Sequence, residues 1–146
     1  MATGTFDVSQ GMRLAELLET LGREGLFRCV MIHHPPIRGA APWAARLIGA
    51  ERFRRIVREA GAELVLHGHT HKGTVGFIDG PTGSVPVVGV PSASASPRAD
   101  RRGAGWNHFT VEGGPGDWTL THVERGFAPG ASQAGEIARR TLRPGT

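Results

Sequence analysis

The sequence predicts an α/β (α+β) domain, one βαβ unit followed by antiparallel β-strands. Apolar runs at 26–32 and 63–67 flank an amphipathic segment at 51–60. Strand, helix and strand over this distance give parallel neighbours joined by a right-handed crossover. Further on, short β-prone runs near 73–78, 85–91, 106–111 and 117–124 alternate with Gly/Pro-rich turns, as antiparallel strands do. The chain has 146 residues, of which 39% are hydrophobic and 21% charged, an ordinary balance for one domain with its own core.

Taken in order, Ser9 is placed to cap a helix that runs to about Arg23. Leu14, Leu17, Leu18 and Leu21 follow the i, i+3, i+4, i+7 spacing of one buried face, and Gly22 and Gly25 end it. The run 26–32 is almost continuously apolar, which predicts a strand buried on both faces with Cys29 as a buried thiol. Pro35, Pro36, Gly39 and Pro42 make a loop, with a short helical piece at 43–48. The helix at 51–60 turns Phe53, Ile56, Val57 and Ala60 inward, and Gly61 follows as its C′ residue. From Gly126 on, Gly, Ala, Ser and Arg dominate, so a loose tail is expected, with one helical turn at 136–142.

Composition excludes several classes. No run approaches the ~18 apolar residues of a membrane span. The opening Met1-Ala2-Thr3-Gly4-Thr5-Phe6-Asp7 has neither a basic start nor an apolar stretch, so it is not read as a signal peptide, and a cytoplasmic protein is expected. One cysteine allows no intrachain disulfide. The formal charge of +4 invites a nucleic-acid reading. However, Lys72 is the sole lysine, the arginines are dispersed, and aromatic residues make up 6% with no tyrosine, so stacking platforms are lacking. Nucleic acid is not an expected partner.

The chemistry concentrates in histidines. His33-His34-Pro35-Pro36 directly follows the first strand of the βαβ unit, and His67-Gly68-His69-Thr70-His71 directly follows the second. Parallel neighbours point the same way, so both clusters reach the C-terminal edge of the sheet, where ligand sites of open α/β sheets form. Neutral imidazole suits zinc, iron and other first-row metals. Gly68 lets the backbone approach closely, and the two prolines stiffen the loop behind His33.

The run Val30–Pro36 followed by Leu64–His71 resembles the last two motifs of calcineurin-like metallophosphoesterases, HHPP and then G-H-x-H, in order and with a helix between. The resemblance covers roughly residues 5–125. It implies a partial metallophosphoesterase sandwich, with residues 1–125 as the C-terminal portion of such a domain and 126–146 as a flexible tail. It also implies that His33 and His69 bind one metal and His71 the other. His34 would stand near the metals, in contact with a ligand residue or with substrate, and His67 would be a packed or hydrogen-bonded strand-end histidine. The cofactors implied are two metal ions, iron, manganese or zinc, and the substrate is a phosphomonoester or phosphodiester.

The family's earlier motifs, D-x-H, G-D-x-x-D and G-N-H-D or G-N-H-E, do not occur here. Gly116-Asp117-Trp118 and Trp106-Asn107-His108 come too late in the chain and lack the remaining residues. The sequence starts where the family's helix before HHPP starts, which is the expectation for a truncated or split product. Three neutral ligands without an anion neither bridge two cations nor offset their charge. The expectation is therefore a two-metal hydrolase site of which this chain carries the histidines, and the alternative is a non-catalytic metal-binding half-domain. In the first reading the isolated chain would bind metal weakly and turn over slowly or not at all; in the second a partner polypeptide would supply the missing N-terminal half.

Overall fold

A computed structural model describes residues 3–145; Met1 and Ala2 of the opening segment read above, and Thr146 of the expected tail, lie outside it. Helix α1 (Val8–Arg23) starts at Asp7 rather than at Ser9. Asp7 Oδ1 accepts from the Gln10 amide at 2.8 Å while Gln10 Oε1 accepts from the Asp7 amide at 2.8 Å. This reciprocal cap satisfies two N-terminal donors and outcompetes the serine two residues further on. Before it lies β1 (Gly4–Thr5), which pairs in parallel with β3 (Leu47–Ile48). The piece expected as a helix at 43–48 is one 3₁₀ turn at Trp43–Ala45 followed by β3.

The central sheet has the order β2-β4-β6-β5, with β2 (Cys29–Ile32), β4 (Leu64–His67), β5 (Thr74–Asp79) and β6 (Ser84–Gly89). As expected, β2 and β4 are adjacent and parallel, Cys29 opposite Leu64 and Ile32 opposite His67. Strand β6 continues the parallel set and β5 closes it antiparallel. Helix α2 (Ala50–Ala60) crosses between β2 and β4. Val65, Val85, Val87 and Ile78 face the helices, where Leu18, Phe53, Ile56 and Val57 complete the first core.

The opposite face of this sheet packs on a second, antiparallel one of order β7-β8-β9: β7 (Gly105–Gly114), β8 (Asp117–Gly126) and β9 (Gly135–Arg143). Leu64 and Val88 meet Leu120 and Leu142 in a second core. The result is three layers: helices, mixed sheet, antiparallel sheet.

Three expectations need correcting. The stretch 135–143, expected within a loose tail with a helical turn, is strand β9, held by its ladder to β8 and anchored by buried Leu142. Strand β2 is not buried on both faces. It is the edge of its sheet, Met31 is 82% exposed, and Cys29 is exposed rather than buried. On α1, Leu18 is buried and Leu14 packs on the core, but Leu17 is 54% exposed because nothing covers that flank.

A buried ion pair locks the βαβ unit. Arg28, just before β2, donates from Nε and Nη2 to the two carboxylate oxygens of Glu63 at 3.0 and 2.8 Å. Its Nη1 donates to the Ala60 and Leu18 carbonyls at 2.7 and 3.2 Å, so one guanidinium gathers the C-terminal parts of both helices.

Candidate metal centre

Strands β2 and β4 end level with one another, and the chain leaves each through a bend. The Gly68 amide donates to the His33 carbonyl at 3.1 Å, tying the two exit loops together. Past β4 the backbone folds tightly: the Thr70 amide donates to the Gly68 carbonyl at 2.7 Å, and His69 and His71 take the left-handed conformation with φ of 65° and 55°. These are the two non-glycine residues with positive φ among the described residues. Such backbone is costly and is retained where surrounding structure enforces it.

This geometry brings three of the histidines together. One ring nitrogen each from His33, His34 and His69 lies within 4.8 Å of the others. The His34 and His69 rings are 4.0 Å apart between centroids, and His33 stands 5.1 Å from His34 and 5.3 Å from His69. Within a regular strand His33 and His34 would point to opposite faces. They converge because the chain bends at both residues after β2 ends at Ile32. His71, paired with His69 by its spacing, is outside the group and exposed, on the side of the loop facing a separate cavity.

Neighbours fix the loops. Pro35 and Pro36 are buried, and Arg54 of α2 donates from Nη1 to the Pro36 carbonyl at 2.5 Å. The hydrogen bonds of Arg54 and Arg38 to Glu51 hold its carboxyl down to about 2, so Arg54 is anchored at its other branch. Gly4 of β1 lies against His34 so closely that a Cβ there would collide with the ring.

Desolvation, then the nearby His34 and His33, lower the pKa of His69 against the opposing pull of the Ala45 carbonyl. At neutral pH the ring is thus held in the uncharged form that metals bind. His67 is the packed, hydrogen-bonded strand-end histidine expected at this position. It is 5% exposed, its Nδ1–H donates to the Gly68 carbonyl at 3.0 Å, and its Nε2 accepts from Thr74 Oγ1 at 3.3 Å.

Two supporting residues gave no readable signal in the sequence. Asn107, in the Asn-His dipeptide set aside above, donates from Nδ2 to the Gly89 carbonyl at 3.3 Å. Its Oδ1 accepts from Nε2–H of the buried His122 at 2.9 Å. The pair couples the second sheet to the end of β6, beside His67.

Fold and site together define an α/β sandwich with an imidazole cluster at the C-terminal edge of a parallel strand pair. No protein-family model matches the chain, and no curated protein matches its sequence. Similar solved structures include wild-type Vps29 from Entamoeba histolytica complexed with Zn2+, with 18% identity and a TM-score of 0.40 over 73% of this chain and 52% of that one. A double mutant of the same protein gives 17% and 0.40 over the same shares, and a single mutant gives 13% and 0.39 over 97% and 98%. The chain spans about half the length of the first two. Likeness at this level assigns neither a family nor an activity.

Proposed function

We infer that this chain supplies the histidine half of a metal-dependent site for hydrolysing a phosphomonoester or phosphodiester, completed by carboxylates from another polypeptide segment. The supporting observation is the convergence of His33, His34 and His69 at the C-terminal ends of β2 and β4. The donors fit a first-row ion such as zinc, iron or manganese: three imidazole nitrogens within 4.8 Å of one another. Among the described residues no carboxylate belongs to the group, so the ion's charge would stand uncompensated. His71 is the residue left for a second ion and has no partner ligand in the group.

When bound, such an ion lowers the pKa of a coordinated water and neutralises charge on phosphoryl oxygens. The chain's own residues prepare for that. His69 is kept neutral, the Gly68–His33 hydrogen bond holds the two loops in register, and Arg54 braces the loop behind His34. The missing acids have a physical place to enter. Strand β2 is an exposed edge, and a parallel strand added to it would bring its own C-terminal end beside His33. A strand followed by an acidic loop is the occupant that charge favours.

Calorimetric titration of the chain with zinc should show weak binding of one ion. His33→Ala and His69→Ala should each lose it and His71→Ala should keep it; equal loss in all three overturns the three-histidine site. With an aryl phosphodiester and manganese, the chain alone should turn over little. Adding in trans a polypeptide bearing D-x-H, G-D-x-x-D and G-N-H-D should restore activity, and His69→Ala should abolish it again. Robust activity without that addition overturns the half-site reading.

A further inference from the structure

A cavity of about 690 Å³ is lined by the loop that follows His69. Thr70, His71 and Lys72 form one wall, and the segment between β6 and β7 forms another. Its volume is in the range of small-molecule sites. The facing segment has little regular structure but is stitched in place. Arg98 and Arg101 exchange backbone hydrogen bonds of 2.9 and 3.2 Å, the Ala104 amide donates to the Ala95 carbonyl at 2.6 Å, and the Gly103 amide donates to the Phe127 carbonyl at 3.0 Å.

The charge lining this cavity is unbalanced. Lys72, Arg101, Arg102 and Arg125 face two carboxylates, Asp100 and Glu124. Glu124 is buried and already met by Arg102 at 3.0 Å and by Arg140, outside the cavity, at 3.7 Å. Lys72 and Arg101 are exposed, and among the described residues neither joins an ion pair within 4.0 Å. Among the described residues Asp100 likewise joins no ion pair, so two cations against one carboxylate line a concave site that His71, two residues past His69, also lines, and a net positive potential there draws anions.

We propose that this cavity is an anion-binding subsite for an organic phosphate carrying a second anionic group, phosphate or carboxylate, held by Lys72 and Arg101. The inference rests on the reading of the histidines as the phosphoryl end of the site. A substrate bridging both would present its scissile phosphate to His33, His34 and His69 and its second anion to the cavity. Bidentate recognition by the Arg101 guanidinium supplies direction, and Lys72 supplies a point charge.

The probe is glucose 1,6-bisphosphate, with glucose 1-phosphate as the control of equal body and fewer charges. Titration calorimetry on the full chain at low salt should show the bisphosphate binding at least about tenfold more tightly. The ratio should fall towards one in the double variant Lys72→Ser/Arg101→Ser, whose exposed positions spare the fold. It should survive in Arg13→Ser/Arg55→Ser, which removes the same charge from the helices. A ratio near one in the wild-type chain, or a ratio that the helix variant lowers as much as the cavity variant, overturns the subsite. In the His33→Ala/His69→Ala background, which removes the proposed metal ligands, the bisphosphate should still bind more tightly than the monophosphate and Lys72→Ser/Arg101→Ser should still lower that ratio, so a failure of the histidine reading and a failure of the subsite are read separately.

Discussion

Gly89 stands directly opposite His67 across the β4–β6 ladder, and a Cβ on Gly89 would come within 2.7 Å of the His67 ring. The imidazole occupies the space that a side chain on β6 would fill. This is how a histidine fits at a buried strand end while keeping hydrogen bonds at both ring nitrogens.

Gly89→Ala should therefore act as an overpacking change. It should push the His67 ring off Thr74 and cost about 1–3 kcal/mol, read in a urea melt against the wild-type chain. Since His67 bonds Gly68, the loss should be accompanied by weaker zinc binding at His33 and His69. A stability change under ~0.5 kcal/mol, with zinc binding intact, would show that β6 can retreat.

Acid should weaken the second sheet through His122. Burial, then the Arg140 charge, lowers its pKa, against the pull of Glu124. The folded chain therefore prefers the neutral ring, and its stability is full above the ordinary histidine value of ~6.5. That contribution is lost as pH falls below this value towards the lower folded pKa, because the unfolded chain binds the proton first. Denaturant melts between pH 7.5 and 5 should show this decline, and His122→Gln should flatten it. An unchanged slope in that variant assigns the decline to other groups.

The two helix faces differ in how they should respond to truncation. Ile56→Ala should cost about 2–5 kcal/mol, since Ile56 is 7% exposed within the first core. Leu17→Ala should cost under ~1 kcal/mol, since Leu17 is more than half exposed. Chemical denaturation of both variants tests the pair, and equal costs would mean that something covers the Leu17 flank in solution.

Leu17 also marks where reading the sequence runs out. Helical spacing says which residues share a side, but not how wide a stripe the neighbours cover, so Leu14 and Leu18 were legible and Leu17 was not. The βαβ unit was legible because β4 is apolar at nearly every position, as a central parallel strand must be. Strand β2 has the same apolar content, but burial depends on a neighbour that no local pattern encodes. Strand β9 hid for the opposite reason. It places one side chain, Leu142, in the buried class and sends Arg139, Arg140 and Thr141 to solvent, so neither period stands out.

At the site, the two histidine clusters and their shared sheet edge followed from order and spacing alone. Membership in the cluster did not. Whether His34 or His71 joins His33 and His69 depends on the bend after Ile32 and on two left-handed residues, and these are tertiary facts. Asn107 and Gly89 were equally silent, since an isolated amide or glycine in a β-rich stretch carries no signal until its cross-sheet partner is known.

The position of β9 as the partner of β8 has a consequence for biosynthesis. Translation delivers α1, β2, α2, β4 and β6 first, so the helix-backed layer can assemble on the ribosome while the antiparallel sheet still lacks its third strand. Until Leu142 emerges, Leu120 and the outer face of the central sheet remain open to water and to chaperones. Ribosome stalling within β9 would thus yield a nascent chain with its histidine loops already formed and one face bare, a species that the cell would meet as a chaperone client.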